Sequence, residues 1–496
     1  MIDLTIAEIA DIVGGELADV SAAEAARIHV TGTVEFDSRA LTSGGLFLAL
    51  PGARSDGHDF AAAAVAAGAV AVLAARPVGV PAIVVAPQPG DTSAGVLEHD
   101  RDGSGAAVLA ALGRLAAEVA RRLVAGGLTI VGVTGSSGKT STKDLLAAVL
   151  APLGRVVAPP GSFNNELGHP WTVLRADHDT DYLILEMSAR HPGNIAALAA
   201  IAPPQIAVVL NVGTAHLGEF GSRQAIADTK SELPQAVPES GVVILNVDDT
   251  AVAAMAAKTV ARVVRVSRNS DSADVWADEV SLDATARPSF TLHTRDLSTR
   301  ITLAVHGDHQ VSNALCAAAV ALECGATGEQ LAAALAAAGP VSKHRMAVAT
   351  RADGVTVVND AYNANPDSMR AGLQALAWMA RGGDSGERRR SFAVLGEMAE
   401  LGEDAISEHD RIGRLVVRLD VSRLIVVGTG RSMSAMHHGA VMEGSWGAEV
   451  TQVADAPAAL ELLRSELADG DVVLVKASNS AGLGVLAETL LGDAGR

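Results

Sequence analysis

The sequence predicts an α/β protein with two or three domains in series. Short apolar runs alternate with longer helical segments through most of the 496 residues. This alternation is typical of parallel strands joined by crossover helices. Hydrophobic residues make up 49% of the chain and charged residues 19%, a composition typical of a globular protein. A chain of this length can form several domains, each of which buries its own core.

Charge, cysteine content and apolar runs exclude several classes of protein. The net charge of −19 argues against nucleic acid or an anionic membrane as the main partner. The two cysteines, Cys316 and Cys324, are expected on the core side of a helix, without a disulfide framework. The first residues lack the basic segment of a signal peptide, and the apolar run at 60–75 is too short to span a bilayer. We therefore expect a soluble, cytoplasmic protein without membrane insertion.

The first predicted region, residues 1–110, combines short strands with alanine-rich helix. Its strands are predicted at 46–50, 70–73 and 83–85. Residues 89–105 are rich in Gly, Asp and Ser and are predicted to form a mobile loop or linker. Five polar residues cluster around glycine turns, and they suit either an anion or nucleotide site or ordinary turn structure: Ser38, Arg39, Ser43, Arg54 and His58.

The second region begins with the most informative motif of the chain. Residues 133–142 read VTGSSGKTST, between an apolar strand at 128–133 and a helix that continues to residue 150. Gly135 and Gly138 allow the backbone to wrap a phosphate, and the new helix directs free N–H groups and its positive dipole end toward it. The segment therefore predicts a phosphate-binding loop.

Two residues of this loop have the chemistry of a nucleoside triphosphate site. Lys139 can reach the β- and γ-phosphates, and Thr140 can offer its hydroxyl to Mg²⁺. The strict P-loop pattern has a glycine where Val133 stands. We predict a variant P-loop that uses a nucleoside triphosphate, and a purely structural glycine turn is the alternative.

Three further residues of the second region are candidates for the same site. Glu186 closes the strand predicted at 182–185, where a P-loop protein carries the acid that holds Mg²⁺. His216 follows the strand predicted at 206–210 and would lie on the same rim. Lys230 is on a predicted helix, and the residues alone favour an exposed, solvated lysine. More strands are predicted at 242–245 and between 275 and 305, followed by helix from 309 to 338.

The third region begins after Gly339 and Pro340 and again alternates strands with helices. Asn365 followed by Pro366 predicts a helix start. Residues 381–390, RGGDSGERRR, predict a solvated surface loop. A polar cluster after the first strand exceeds what a connecting turn needs: Asp360, Tyr362, Asn363 and Asn365. Strands are predicted at 356–359, 392–395, 424–427 and 472–475.

With these motifs in order, the chain resembles the Mur ligases, ATP-dependent enzymes that form amide bonds in peptidoglycan precursors. The motif NDAYNANPDSM at 359–369 is similar to that of members that join D-alanyl-D-alanine to UDP-N-acetylmuramoyl-tripeptide. Members that add the third peptide residue typically have Asp-Tyr-Ala-His there. The other motifs that carry the resemblance are FDSR at 36–39 with DGHDF at 56–60, TGSSGKTSTKD at 134–144, FNNELGHP at 163–170, NVGTAHLGEFGS at 211–222, GDHQVSNALCA at 307–317 and VLGEMAELG at 394–402.

The resemblance implies three domains and a monomeric enzyme. Residues 1–110 would bind the UDP-sugar, residues 111–339 would form a P-loop ATPase domain with a parallel sheet, and residues 340–496 would form a Rossmann-like domain that closes over ATP. The implied phosphate-binding residues are Gly135, Ser136, Ser137, Gly138, Lys139, Thr140 and Ser141. The implied contacts of adenine, γ-phosphate and ribose are Asn313, Arg345 and Asp360 respectively.

The resemblance also implies two Mg²⁺ ions. Thr140 and Glu186 would bind the first, and Glu186, His216 and a carbamylated Lys230 would bind the second. A carbamate converts a cation into a carboxylate-like ligand, which explains a lysine in a metal site. Together with Lys139, Glu186, His216 and Lys230 are the implied catalytic residues. The implied substrate residues are Ser38 and Arg39 for the UDP end, Asn164, Asn165 and Glu166 for the passage where the peptide carboxylate meets ATP, and Tyr362 and Asn363.

The implied reaction starts when the terminal carboxylate of the tripeptide attacks the γ-phosphate and forms an acyl phosphate. The amine of D-alanyl-D-alanine then attacks the acyl carbon, and phosphate leaves. Three alternatives are a ligase that adds the third residue, a folylpolyglutamate synthase-like ligase, and a P-loop binding or switch protein without amide chemistry. The chain departs from the family pattern at Ser188, where glycine is usual, in VKAS at 475–478, where Val-Lys-Gly-Ser is usual, and at Asn479, where arginine is common.

Overall fold

The computed structural model describes residues 1–88, 95–213, 217–382, 388–444 and 449–492. These residues form an α/β protein with several mostly parallel sheets, which confirms the predicted fold class. Every strand predicted from an apolar run is present, and its ends differ from the prediction by at most two residues.

The N-terminal region forms a small sheet flanked by short helices. Its elements are β1 (Leu4–Thr5), α1 (Ile6–Val13), β2 (Glu16–Ala18), α2 (Ala22–Ala25), β3 (His29–Val30), β4 (Val34–Glu35), β5 (Gly45–Leu48), α3 (Ala61–Ala66), β6 (Ala69–Ala74) and β7 (Ala82–Val84). The strand order among the described residues is β2-β7-β6-β5-β4, with β2 antiparallel to β7 and the other pairs parallel. The short strands β1 and β3 pair separately.

The segment that follows this sheet is anchored by the buried residue Asp100, which the sequence did not predict. Residues 95–105 begin with a 3₁₀ turn at Gly95–Leu97 and lead into the long helix α4 (Ser104–Ala125). Asp100 is buried and accepts hydrogen bonds from the amides of Gly105 and Ala106 at 3.0 and 2.8 Å. Residues 98–103 therefore form a loop, as predicted, but Asp100 anchors it and helix α4 begins at Ser104; residues 89–94 lie outside the described residues.

Helix α4 connects the first region to the second. It crosses the predicted boundary at residue 110, and one continuous core includes Ile9 of α1, Leu112 of α4 and Leu198 of the central region. Aromatic rings add a second connection, because Trp171 lies 5.9 Å from Phe36 between ring centroids. The N-terminal region is thus fixed against the central one by apolar packing.

The central region is built on a long sheet whose middle is parallel. Its further elements are β8 (Thr129–Thr134), α5 (Lys139–Leu150), β9 (Val156–Val157), α6 (Gly168–Val173), β10 (Tyr182–Glu186), α7 (Asn194–Ile201), β11 (Ile206–Val209), α8 (Leu217–Phe220), α9 (Arg223–Ala236), β12 (Val242–Asn246), α10 (Thr250–Ala253), β13 (Arg262–Ser267), β14 (Val275–Leu282), β15 (Pro288–His293), β16 (Ser298–Thr302), α11 (Gln310–Glu323) and α12 (Gly328–Ala337). The described strands are ordered β16-β15-β14-β13-β12-β11-β8-β10-β9, and β14–β15 and β15–β16 are antiparallel. Cys316 is buried in α11 and Cys324 is half-buried at its end.

The third region has a second doubly wound sheet. Its elements are β17 (Ala347–Thr350), β18 (Thr356–Asn359), α13 (Pro366–Ala380), β19 (Ser391–Leu395), α14 (Ala405–Arg418), β20 (Arg423–Val427), α15 (Arg431–Met442), β21 (Val450–Val453), α16 (Ala456–Glu466), β22 (Val472–Lys476) and α17 (Leu483–Gly492). The order among the described strands is β17-β18-β22-β19-β20-β21, in which β17 is antiparallel to β18 and the other pairs are parallel.

The described part of the basic segment before β19 is a loop, as predicted, and two of its arginines make specific contacts. Arg389 donates hydrogen bonds to the carbonyl of Gly354 at 3.0 Å and to the hydroxyl of Thr356 at 2.8 Å. Arg390 forms an ion pair with buried Asp471 at 2.6 Å. Residues 388–390 thus form a loop in which Arg390 is exposed, as predicted, whereas Arg389 is half-buried against β18; residues 383–387 are not described.

None of the described helices is both long enough and apolar enough to cross a bilayer.

Candidate active site

The carboxyl ends of the central parallel strands bring the predicted nucleotide residues together. Strand β8 lies between β10 and β11 and leads into the P-loop. Glu186 ends β10, and Asn211 follows β11. From β8 the chain passes to β9 and β10 on one side, and from β10 it crosses to β11 on the other side of β8. A crevice opens at such a switch point, where α/β proteins bind ligands.

Of the two P-loop glycines, Gly138 takes a left-handed backbone conformation. Gly138 has φ +81°, and a Cβ atom there would lie 2.7 Å from Oδ1 of Asn313. Helix α5 begins at Lys139, and no described side chain caps its first turn. Its first N–H groups are therefore directed into the crevice and can bind an anion.

Asn211 anchors the P-loop, although the sequence did not single it out as a site residue. Its carbonyl accepts a hydrogen bond from the amide of Ser136 at 3.1 Å, and its Oδ1 accepts one from the amide of Ser137 at 3.0 Å. The position of Asn211 in the sequence could have indicated this role, because it is a polar residue that follows a buried strand. The loop is thus preformed by contacts with the neighbouring strand end.

The side chain of Lys139 contacts the backbone of the P-loop. Its Nζ donates a hydrogen bond to the carbonyl of Gly135 at 2.7 Å. Burial lowers the pKa of Lys139, while the negative charge of Glu186 opposes that shift. The ammonium is within reach of the same crevice as the carboxylate.

Thr140 and Glu186 lie side by side as candidate oxygen ligands. The Thr140 hydroxyl lies 3.1 Å from Oε2 of Glu186, and Asn164 donates a hydrogen bond from Nδ2 to Oε1 of Glu186 at 2.7 Å. Mg²⁺ is usually held by one or two carboxylates together with phosphate oxygens, which fits this pair. Among the described residues, no three His, Cys, Asp or Glu side chains converge as a metal cluster.

Lys230 is buried in α9, not exposed as the residues alone suggested. Burial, together with the nearby positive charge of Lys139, sets the pKa of Lys230 well below its usual value. The amine is therefore held toward its neutral form. His216, the implied partner of Lys230, lies outside the described residues.

Arg345 reaches this cluster from the third region. Its Nη2 donates hydrogen bonds to the hydroxyl of Ser162 at 2.9 Å and to that of Thr140 at 3.3 Å. Its guanidinium carbon lies 4.3 Å from the ring centroid of Tyr362, a cation–π contact. Ser162 and Thr140 also share a hydrogen bond of 2.7 Å. Ser162 is thus a site residue that the sequence did not identify, because its neighbours come from distant segments.

A cavity of about 620 Å³ extends from the P-loop between the central and third regions. Asn313, Arg345 and Asp360 line it, as the resemblance implied for a nucleotide pocket. Asp360 accepts a hydrogen bond from the amide of Met346 at 3.1 Å, and its Oδ2 pairs with Lys476. The lining includes both Ser141, in the first turn of α5, and the fixed carboxylate of Asp360, which suits a phosphorylated nucleoside.

A second cavity, of about 710 Å³, meets the first at the P-loop. Ser137, Gly138, Ser141, Arg345 and Ser368 line both cavities. The predicted passage residues Asn164, Asn165 and Glu166 line the second cavity, together with Glu186, Tyr362 and Asn363. The two cavities share the point where the end of a bound triphosphate would lie.

The predicted UDP residues lie apart from these cavities. Neither Ser38 nor Arg39 is among the described residues that line them. Arg39 is exposed and pairs with Asp37 at 2.7 Å, and the hydrogen bonds from Arg39 lower the pKa of Asp37 to about 2. His58 is buried, with Nδ1 against Asp56 at 2.6 Å and Nε2 accepting from the amide of Ala75 at 3.0 Å. His58 is therefore a structural residue and not part of the anion site suggested for that segment.

Comparison with protein families assigns the chain. The family models that match are the Mur ligase catalytic domain at residues 29–116, the Mur ligase middle domain at 133–321 and the Mur ligase glutamate ligase domain at 344–479. The chain belongs to the Mur ligase family. The described sheets follow the same order as these three matches.

Two curated relatives of this Mur ligase have the same name. The chain is 73% identical to UDP-N-acetylmuramoyl-tripeptide–D-alanyl-D-alanine ligase of Mycobacterium leprae, over 99% of both chains. It is 34% identical to the Escherichia coli protein of the same name, over 97% of both.

Solved Mur ligase structures have the same fold. MurF from Acinetobacter baumannii has a TM-score of 0.81 at 29% identity, with 99% of each chain covered. MurF from Thermotoga maritima, in complex with ADP, has a TM-score of 0.76 at 27% identity and covers 94% of this chain and 98% of its own.

Two positions where this Mur ligase departs from its family pattern have clear structural roles. Ser188 donates a hydrogen bond from its hydroxyl to Oδ1 of Asn164 at 2.9 Å, which turns the amide nitrogen of Asn164 toward Glu186. Ala477, in the altered VKAS segment, is fully buried, and its Cβ would lie 2.8 Å from a Cβ built on Gly396. Neither change removes a side chain from the phosphate loop.

Proposed function

We propose that this chain is an ATP-dependent ligase that joins D-alanyl-D-alanine to UDP-N-acetylmuramoyl-tripeptide. The products are the pentapeptide precursor of peptidoglycan, ADP and phosphate. The names of relatives that match over nearly the whole chain support the substrates, and the ADP complex of a solved relative supports the nucleotide.

One observation carries the mechanism: two cavities meet at the P-loop, beside Lys139 and Glu186. ATP in the first cavity would place its γ-phosphate at the junction. The peptide carboxylate would enter from the second cavity, past Asn164 and Glu166. This arrangement brings the nucleophile and the phosphorus together, and such positioning supplies most of the catalysis in phosphoryl transfer.

In the first step, a carboxylate oxygen of the tripeptide attacks the γ-phosphorus, and ADP leaves as the acyl phosphate forms. The P-loop from Gly135 to Ser141 would hold the phosphates, and Lys139 and Arg345 would neutralise the charge that develops on the transferred group. Asn313 and Asp360 would hold the adenine and the ribose. In the second step the dipeptide amine attacks the acyl carbon, and the C–O bond to phosphate breaks.

Two Mg²⁺ ions would be bound by side chains of this crevice. Thr140 and Glu186 would hold one, and Glu186, His216 and carbamylated Lys230 the other. When bound, Mg²⁺ neutralises phosphate charge. The burial of Lys230 supports the carbamate, because only a neutral amine attacks carbon dioxide and burial disfavours the ammonium.

Substrate binding would extend across all three regions of the chain. Ser38 and Arg39 would hold the UDP end in the first region, which is continuous with the central core. Tyr362 and Asn363, on the third region, would close the far side of the second cavity. A substrate held this way spans the domains, and its binding would favour their closure.

The decisive experiment measures phosphate release by the purified protein with ATP, Mg²⁺ and UDP-N-acetylmuramoyl-tripeptide. We expect release to require D-alanyl-D-alanine as well. With ¹⁸O in the terminal carboxylate of the tripeptide, one label should appear in the released phosphate, since the acyl phosphate transfers that oxygen. Lys139→Ala should abolish release, whereas the exposed control Lys343→Ala should not.

Two outcomes would overturn the proposal. The first is phosphate release when UDP-N-acetylmuramoyl-dipeptide is supplied with diaminopimelate or lysine, and none when the tripeptide is supplied with D-alanyl-D-alanine. This result would identify a ligase for the third residue. ATP hydrolysis that does not depend on any peptide would favour a P-loop switch protein.

A further inference from the structure

The turn at Gly95–Leu97 contributes to the second cavity although it belongs to a segment with no assigned role. Val96 and Leu97 are half-buried, and both line this cavity with Asn164, Glu166 and Tyr362. The following residues, Glu98 and His99, are exposed and do not line it. The turn therefore directs two apolar side chains at the cavity and two polar ones away from it.

Backbone contacts hold the base of this segment in place. The amide of Gln88 donates a hydrogen bond to the carbonyl of Gly103 at 3.1 Å, and Gln88 Nε2 donates to the carbonyl of Ala106 at 3.2 Å. Gly103 has φ +80°, and a Cβ atom there would lie 2.2 Å from the carbonyl oxygen of Gln88. Together with the buried carboxylate of Asp100, these contacts fix where the turn meets α4.

Leu97 is also supported from behind. A Cβ atom built on Gly105 would lie 3.1 Å from Cδ2 of Leu97 and 3.0 Å from Cγ of Pro51. Val96 and Leu97 pack on the same core as α1 and α4. Their positions are therefore set by the N-terminal region, which reaches from there into the cavity that contains Glu186.

The rest of the cavity is mixed in character. Its charged and amide side chains include Glu166, Glu186 and Arg190, whereas Ala197 and Leu198 of α7 add apolar surface to that of the turn. Binding sites place apolar walls where a ligand is apolar and a few polar groups where it needs orientation. The apolar wall indicates that part of the ligand here is aliphatic.

We propose that Val96 and Leu97 are specificity-determining residues that contact the aliphatic side chain of the terminal residue of the tripeptide. The inference rests on the proposed function: the UDP end would lie in the N-terminal region and the reacting carboxylate at the P-loop. The peptide must then pass the wall that connects the two. Neither residue lines the first cavity, where ATP would bind.

The test compares the double variant Val96→Ser, Leu97→Ser with the control Glu98→Ser, His99→Ser on the same turn. We expect the KM for UDP-N-acetylmuramoyl-tripeptide to rise about tenfold in the first variant, the size of effect that a few lost methyl contacts produce. The KM values for ATP and D-alanyl-D-alanine should stay within about twofold. The control should match the wild type in all three.

A second substrate distinguishes a loss of side-chain recognition from a general loss of enzyme activity. Wild type should prefer the natural tripeptide over one whose terminal residue is alanine, and the double variant should lose most of that preference. Should the double variant unfold, the conservative single variant Val96→Thr, which keeps the shape and adds a hydroxyl, decides the question by the same preference ratio.

An unchanged preference, or an equal rise in the KM for ATP, would overturn this inference. A rise confined to the KM for D-alanyl-D-alanine would assign the wall to the other substrate and equally overturn it. Absence of turnover by the wild type on these substrates would instead contradict the proposed function.

Discussion

Lys476 donates a hydrogen bond from Nζ to Oδ2 of Asp360 across 2.5 Å, and both side chains are buried. Nζ also donates to the carbonyl of Asn363 at 3.0 Å. Burial lowers the pKa of Lys476, while the carboxylate of Asp360 opposes that shift. Lys476 therefore fixes Asp360, on the neighbouring strand end, in the orientation needed to face the nucleotide cavity.

Replacement of Lys476 by methionine should destabilise the protein and weaken ATP binding. Removal of one partner leaves the Asp360 carboxylate buried and unpaired, which costs about 3 kcal/mol. We expect a lower free energy of unfolding in urea and a higher KM for ATP. The double variant Lys476→Met, Asp360→Asn should recover stability but not ATP affinity. Equal stability of Lys476→Met and the exposed control Lys343→Met would contradict this role.

Lys230→Ala should lower kcat by about 100-fold or more, the range seen when a charge-stabilising group is removed. The exposed control Lys258→Ala should retain activity.

The wild type incubated with ¹³C-bicarbonate should show a carbamate signal by NMR, and Lys230→Ala should lack it. Because burial lowers the pKa of the amine, the neutral nucleophile is present above that pKa and is lost as the pH falls. The carbamate signal should decrease in the same direction, and a signal of equal size in both proteins would refute the assignment.

Ser162→Ala should reduce kcat by about tenfold, the equivalent of about 1.4 kcal/mol for two lost hydrogen bonds. The reason is that the Ser162 hydroxyl joins Arg345 of the third region to Thr140 of the P-loop. We expect Ser162→Thr to restore most of the rate, and the KM for ATP to change little. The exposed variant Ser407→Ala serves as the control. Failure of the threonine variant to restore the rate would mean that Ser162 matters only for packing.

Trp171→Phe should lower the free energy of unfolding by about 1 kcal/mol. The indole N–H of Trp171 donates to the carbonyl of Val34 at 2.8 Å, and its ring lies 4.8 Å from that of Phe163 between centroids. Phenylalanine keeps the ring contact but loses the donor, which leaves the carbonyl unpaired. Chemical denaturation monitored by circular dichroism measures the change, and an unchanged midpoint would argue against this connection between the two regions.

Local sequence patterns predicted the β-strands well, because each predicted strand is a short run of apolar residues that the fold buries. The run YLIL, for example, gave β10 and placed Glu186 at its end. The P-loop was equally readable, since Gly135, Gly138, Lys139 and Thr140 are contiguous. The glycines and acids at 95–105 predict a loop, which the segment forms at 98–103, but the burial of Asp100 against the backbone of α4 is a contact that local composition does not show.

The fold class, the phosphate loop and the family resemblance follow from the amino-acid sequence, because they depend on periodicity and on residues close together in the chain. The tertiary structure alone decided that Lys230 is buried, that His58 is structural, and that Ser162 joins Thr140 to Arg345. These facts depend on burial and on contacts between strand ends that are far apart in sequence. Burial lowers the pKa of Lys230, and the hydrogen-bond partners of Ser162 come from distant segments of the chain. Neighbouring residues in the sequence therefore predict neither property.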